Sequence, residues 1–104
     1  MLQTSKTTSN EPNVRLKTVD TNSSKILKTN ARRIQAIIQN NSTVACLILL
    51  GSGTVSTTNY HFSLAPASAN RDGKGGSLVV DNYVGEISAI TESGSTILSV
   101  VELI

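Results

Sequence analysis

Aromatic side chains are nearly missing from this sequence: two Tyr, one Phe and no Trp in 104 residues. That scarcity removes most of the stacking platforms on which small β-barrels hold single-stranded nucleic acid. Cysteine occurs once, as Cys46, which excludes an internal disulfide framework. Histidine also occurs once, as His61, so neither a histidine-based metal cluster nor a Cys/His zinc site can be assembled. The longest apolar run, Val44 to Leu50, has seven residues, against the roughly 18 that a spanning helix needs. No apolar signal-peptide segment occurs in residues 1–24. These absences predict a soluble chain with no membrane partner, whose Asn-X-Ser/Thr sequons at Asn22, Asn40 and Asn41 are products of composition.

What is present is small and polar. Ser, Thr and Asn account for 35 residues, indifferent helix formers that suit a surface-rich β protein. From residue 25 onward the apolar period is two. "KILK" is a short strand. "RRIQAIIQ" places Ile34, Ala36 and Ile38 on one face; Asn40-Asn41 then predicts a hairpin turn into "TVACLILL". That strand is apolar on both faces, so it is either central in a sandwich or closed barrel, or covered by another subunit through Ala45, Leu47 and Leu49. "YHFSL" follows, with Tyr60, Phe62 and Leu64 on one face, then a polar loop over 65–76, then "SLVVD", "VGEISAIT" and "STILSVVELI". The predicted fold is all-β, a small sandwich or barrel of six to seven short antiparallel strands over 25–104. Residues 1–24 read as an extended polar arm, disordered until a partner supplies contacts. Within that arm "NVRLKTV" has the alternation of a strand that adds to another sheet.

Charge divides the same way. Residues 1–33 carry a balance of +5 and residues 34–104 a balance of −3. A basic arm on a mildly acidic body suits docking onto a negatively charged surface.

The chemistry-bearing residues form no recognisable constellation. His61 has serines and aspartates for company but no Gly-X-Ser-X-Gly elbow. Asp72, Asp81 and Glu86 sit in loops and turns, where carboxylates ordinarily bond nearby amides. "GKGGS" lacks the spacing of a phosphate-binding loop and precedes a strand. Cys46 reads as a small buried hydrophobe. No enzyme activity, catalytic residue, metal, cofactor or small-molecule substrate is assigned from these residues.

The order "NARRIQAIIQNNS … LLGSG … FSLAP … GGSLVVDNYVGEISAI … SVVEL" resembles small β-rich virion proteins of tailed bacteriophages. In those proteins an Asn and an Arg precede an "IQN" strand, and a Gly-terminated apolar strand follows. A "Pro-Gly-Gly-Ser" turn, a "YxGxIxAI" segment and a closing strand near "VxE" complete the pattern. The match covers residues 30–103. This sequence departs from the pattern with Lys74-Gly75-Gly76 at the turn, no aromatic in "CLILL", and an added loop at "ASANRDGK". The resemblance implies a capsid decoration or cement protein on the phage head surface, assembled in the host cytoplasm. Its implied partners are the major capsid protein and copies of itself, as a homotrimer. The arm, through Lys6, Val14, Arg15, Leu16 and Lys17, would lie on the coat lattice and multiply weak contacts. A tail or neck adaptor, a glycan-reading fibre domain using Tyr60 and Tyr83, and a small nucleic-acid-binding barrel are the alternatives; specific nucleic-acid recognition is not expected of so acidic a body.

Overall fold

Strict alternation of buried and half-exposed residues along Thr96–Leu103 marks β8, the central strand of the molecule. The inward set, Thr96, Leu98, Val100 and Glu102, faces the core; Ile97, Ser99, Val101 and Leu103 face outward. A computed structural model describes residues 11–104, and among them there are eight strands and no helix. They are β1 (Pro12–Val19), β2 (Ser24–Leu27), β3 (Gln35–Asn40), β4 (Cys46–Leu50), β5 (Phe62–Leu64), β6 (Ser77–Asp81), β7 (Ile87–Ile90) and β8. They form two antiparallel four-stranded sheets, ordered β1-β8-β3-β6 and β2-β7-β4-β5. Among the described residues each sheet keeps two free edges, so the fold is a sandwich and not a barrel.

The core lies between the sheets. Ala36 and Ile38 of β3, Leu98 and Val100 of β8 and Val80 of β6 meet Cys46 and Ile48 of β4, Ile87 and Ala89 of β7, Ile26 and Leu27 of β2, and Leu64 of β5. Half of these residues are β-branched, the type that a pleated, half-buried surface favours. In β2 a register shift between Lys25 and Leu27 lets the consecutive Ile26 and Leu27 both reach the interior, the usual effect of a bulge.

Two expectations are corrected here. Asn40-Asn41 is not a hairpin turn. β3 pairs with β6 and β8, whereas β4 pairs with β5 and β7 in the other sheet, so residues 41–45 carry the chain across the sandwich. Ala36 and Ile38 can then face Cys46 and Ile48 through the core, which a two-stranded hairpin in one sheet forbids. Second, the extended arm does not run to residue 24. β1 pairs with β8 over its full length, from Pro12 opposite Leu103 to Val19 opposite Thr96. β8 is a long strand whose flank opposite β3 would otherwise leave a row of backbone groups unpaired, and β1 satisfies them.

Polar side chains tie the sheets at both ends. At one end Asn40, 1% exposed, donates through Nδ2 to the carbonyl of Val44 at 2.8 Å, and accepts from Thr96 Oγ1 at 2.5 Å. Its neighbourhood explains the last two glycines of the 65–76 loop. A side chain at Gly75 would collide with the Asn40 carbonyl, and one at Gly76 would come 2.6 Å from the Ala65 nitrogen.

Candidate functional site

β1 is the strand that holds the residues assigned to partner contact. It is an edge strand, and of its eight side chains only Val19 is buried. Val14 and Leu16 stand on the outer face of the sheet and are 67% and 61% exposed. Arg15 and Lys17 point the other way, opposite the inward-facing Val100 and Leu98. Arg15 is exposed and Lys17 half-exposed, so those two cations sit on a rim rather than in the core. A cleft of about 130 Å³ there is lined by Arg15, Leu27, Lys28, Thr29, Asn30 and Glu102. Lys6, the remaining residue of that assignment, lies outside the described residues.

Ala45, Leu47 and Leu49 fare differently. The double-sided apolar strand is real: β4 lies between β7 and β5, and Cys46 to Leu49 are all buried. Its second face is covered from within the chain, because Leu47, Leu49 and Ile90 pack with Val55 of the 51–61 connection into a small separate cluster. Leu47 and Leu49 are therefore not open for a subunit contact, which corrects that assignment. Ala45 alone is exposed, at the mouth of a cleft of about 220 Å³ shared with Val44, Leu47, Ser63, Glu92 and Ser93.

The groups with chemical potential are scattered. His61 is exposed, and its Nδ1 accepts from the backbone nitrogen of Leu50 at 3.0 Å. Phe62 is 40% exposed on the edge strand β5, so it does not join Leu64 in the core as its alternation suggests. Tyr83 is half-buried and donates its hydroxyl to the Glu86 carbonyl at 2.9 Å. Asp81 accepts from Gln35, and Glu86 pairs with Lys25 at 2.9 Å. Asp72 accepts from the backbone nitrogens of Lys74 and Ala69, which hold its carboxyl below the usual aspartate range. Burial pushes the Cys46 thiol up to about 11, away from the thiolate form that reacts. Among the described residues no three His, Cys, Asp or Glu side chains converge on a common point.

One residue escaped the sequence reading. Arg33, counted there with the basic arm, is only 4% exposed. Its Nε donates to Glu102 Oε2 at 2.7 Å, and its other nitrogens donate to the carbonyls of Lys28 (2.6 Å), Gly85 (2.9 Å) and Tyr83 (3.2 Å). Glu102 belongs to β8, Lys28 follows β2 and Gly85 precedes β7, so one guanidinium clips the two sheets together. In sequence the two halves of this ion pair are the second Arg of "NARRIQ" and the Glu of "SVVEL". Spacing alone, 69 residues apart, could not join them.

A second feature is visible only in register. Val14 of β1 lies opposite Val101 of β8, Val101 opposite Ile37 of β3, and Ile37 opposite Val79 of β6. Four β-branched residues thus cross the outer face of the whole sheet in one row, with Leu16 and Leu103 beside it.

No known family profile matches the chain, and no curated protein matches it. A solved structure from Bacillus, described as "Bacillus endospore appendages form a novel family of disulfide-linked pili", aligns with 90% of this chain and 86% of its own at 15% identity and a TM-score of 0.47.

Proposed function

We propose that this chain is a structural protein of a tailed-phage virion, of the capsid decoration or cement type, which docks on the major capsid protein through its N-terminal strand. The observation that carries this reading is β1. It contributes a single buried side chain to its own domain, yet presents two cations and, among the described residues, a backbone edge with no neighbouring strand. A strand of that kind is suited to sheet extension, in which main-chain bonds give affinity and alternate side chains give specificity. Arg15, Lys17 and Lys28 add a positive rim that favours an acidic loop on the coat protein. The resemblance of residues 30–103 to phage virion proteins supports the same reading. Its Arg and Glu positions acquire a shared structural role here in the Arg33–Glu102 pair.

The test is co-sedimentation with purified capsids assembled from the coat protein of the same phage. Full-length protein should saturate the lattice. R15E/K17E, which leaves every core residue in place, should raise the dissociation constant at least tenfold, read as lost occupancy at subsaturating protein, the equivalent of about 1.4 kcal/mol or more for losing a charged rim and gaining repulsion. Undiminished occupancy of the double variant, or no binding by the full-length protein, refutes the proposal.

A further inference from the structure

We infer that the outer face of the β1-β8-β3-β6 sheet is a self-association surface, on which two copies of this chain pack sheet against sheet about a twofold axis. This rests on the geometry alone and does not depend on the virion reading. The two outer faces of the sandwich are treated differently. The face of the β2-β7-β4-β5 sheet has its apolar residues roofed by Val55, while no described segment covers the row Val14–Val101–Ile37–Val79. Of the six large apolar residues left exposed among the described residues, Val14, Leu16 and Val79 all lie on that uncovered face. Isolated exposed aliphatics are ordinary, but a row continuous across four strands is a patch of the kind that marks an interface.

The charge pattern selects the occupant. Asp81, at one corner, is the single formal charge among the outward positions of these four strands, and Gln35 already bonds it at 2.7 Å. The Arg and Lys of β1 point to the opposite side. A face depleted of charge at its centre has the composition of an interface core. It attracts no oppositely charged partner and meets no repulsion from its own copy, so it is self-complementary as a twofold contact requires. The size is adequate. Four strands about 4.8 Å apart and about 23 Å long give roughly 450 Å² of flat area. Side-chain relief takes two such faces past the roughly 1,000 Å² of a specific contact. Paired sheets about 10 Å apart would interdigitate their β-branched rows as a sandwich core does.

Sedimentation equilibrium of the full chain tests this. The wild type should dimerise with a dissociation constant below about 1 mM, the weak end of measurable association. V79E on β6 and V14E on β1 should each raise that constant at least about tenfold, because each places a charge in a desolvated centre. V79T, which keeps shape and strand preference, should shift it less; it also keeps the test decisive if either glutamate disturbs folding, which far-UV circular dichroism reports. S63E, on the outer face of the other sheet, should leave it unchanged. A wild type monomeric throughout, a dimer indifferent to both V79E and V14E, or a dimer lost with S63E overturns the inference. Loss of capsid binding by V79E from a monomeric wild type would assign the face to the coat protein instead, and also overturns it.

Discussion

Replacing Arg33 by Met is the most demanding test of how this sandwich is held shut. Methionine fills a similar volume and keeps strand-compatible geometry, so the change isolates the guanidinium. It strands the Glu102 carboxylate, whose side chain is 6% exposed, and removes the donor from the carbonyls of Lys28, Tyr83 and Gly85. Breaking a buried pair from one side costs about 3–5 kcal/mol, since an uncompensated charge stays behind. A domain of this length has only about 5–15 kcal/mol in total. R33M should therefore be folded but close to its threshold. The pair itself adds little beyond what an apolar contact would give, so the double variant R33M/E102L should be more stable than R33M alone, despite carrying two changes. The assay is urea unfolding by far-UV circular dichroism, there being no Trp to follow. With a slope of about 1–1.5 kcal/mol per M for a small domain, R33M should lower the midpoint by roughly 2–5 M, and E102Q by less, because the guanidinium retains its three carbonyls. If R33M costs under about 1 kcal/mol, or if R33M/E102L is as unstable as the sum of its parts, the clip is not what joins the sheets.

Two other outcomes can be checked in the same assay. Gly75→Ala should cost about 3 kcal/mol, because its new methyl meets the Asn40 backbone, which cannot swing aside. Gly73→Ala, in open space at φ 78°, should cost about 1 kcal/mol from backbone strain alone; equal losses would show that the close approach is not limiting. Alkaline pH should also matter through Cys46. In the unfolded chain its thiol ionises near the ordinary value of about 8.5, whereas in the folded chain it holds its proton up to about 11. Its contribution is thus complete below the unfolded value and is lost as pH rises toward the folded one. Between pH 7 and pH 10 the urea midpoint of the wild type should fall further than that of C46V; parallel falls would refute the burial argument.

How much of this was legible beforehand follows from the range of each interaction. The seven strands assigned to residues 25–104 all have counterparts, because period-two alternation is a local property that survives without knowing the partner. Local pattern misleads where partners decide. "RRIQAIIQNNSTVACLILL" has the local form of a hairpin, and only the pairing of β3 with β8 and β6 shows that Asn40 is a buried tie at a crossover. "NVRLKTV" was readable as a strand, but its sheet was not; that depended on a vacancy beside β8, some 80 residues along the chain. The apolar second face of β4 pointed to a cover and left its source open, and Val55, alone among polar neighbours in "GSGTVSTTN", gave no hint that it supplies it.

Composition and period by themselves determined the class of this protein: few aromatics, one cysteine, one histidine and alternating β-branched residues leave little but a small all-β domain. The tertiary structure alone decided which charges are surface charges and which faces are free. Arg33 changed from part of a basic arm to the internal clip of the sandwich, and the exposed apolar surface moved from β4 to the row Val14–Val101–Ile37–Val79. The physical reason is the same in each case. Alternation tells which side chains share a face, but burial, pairing and charge compensation depend on what stands opposite, and that is set by segments far apart in the chain.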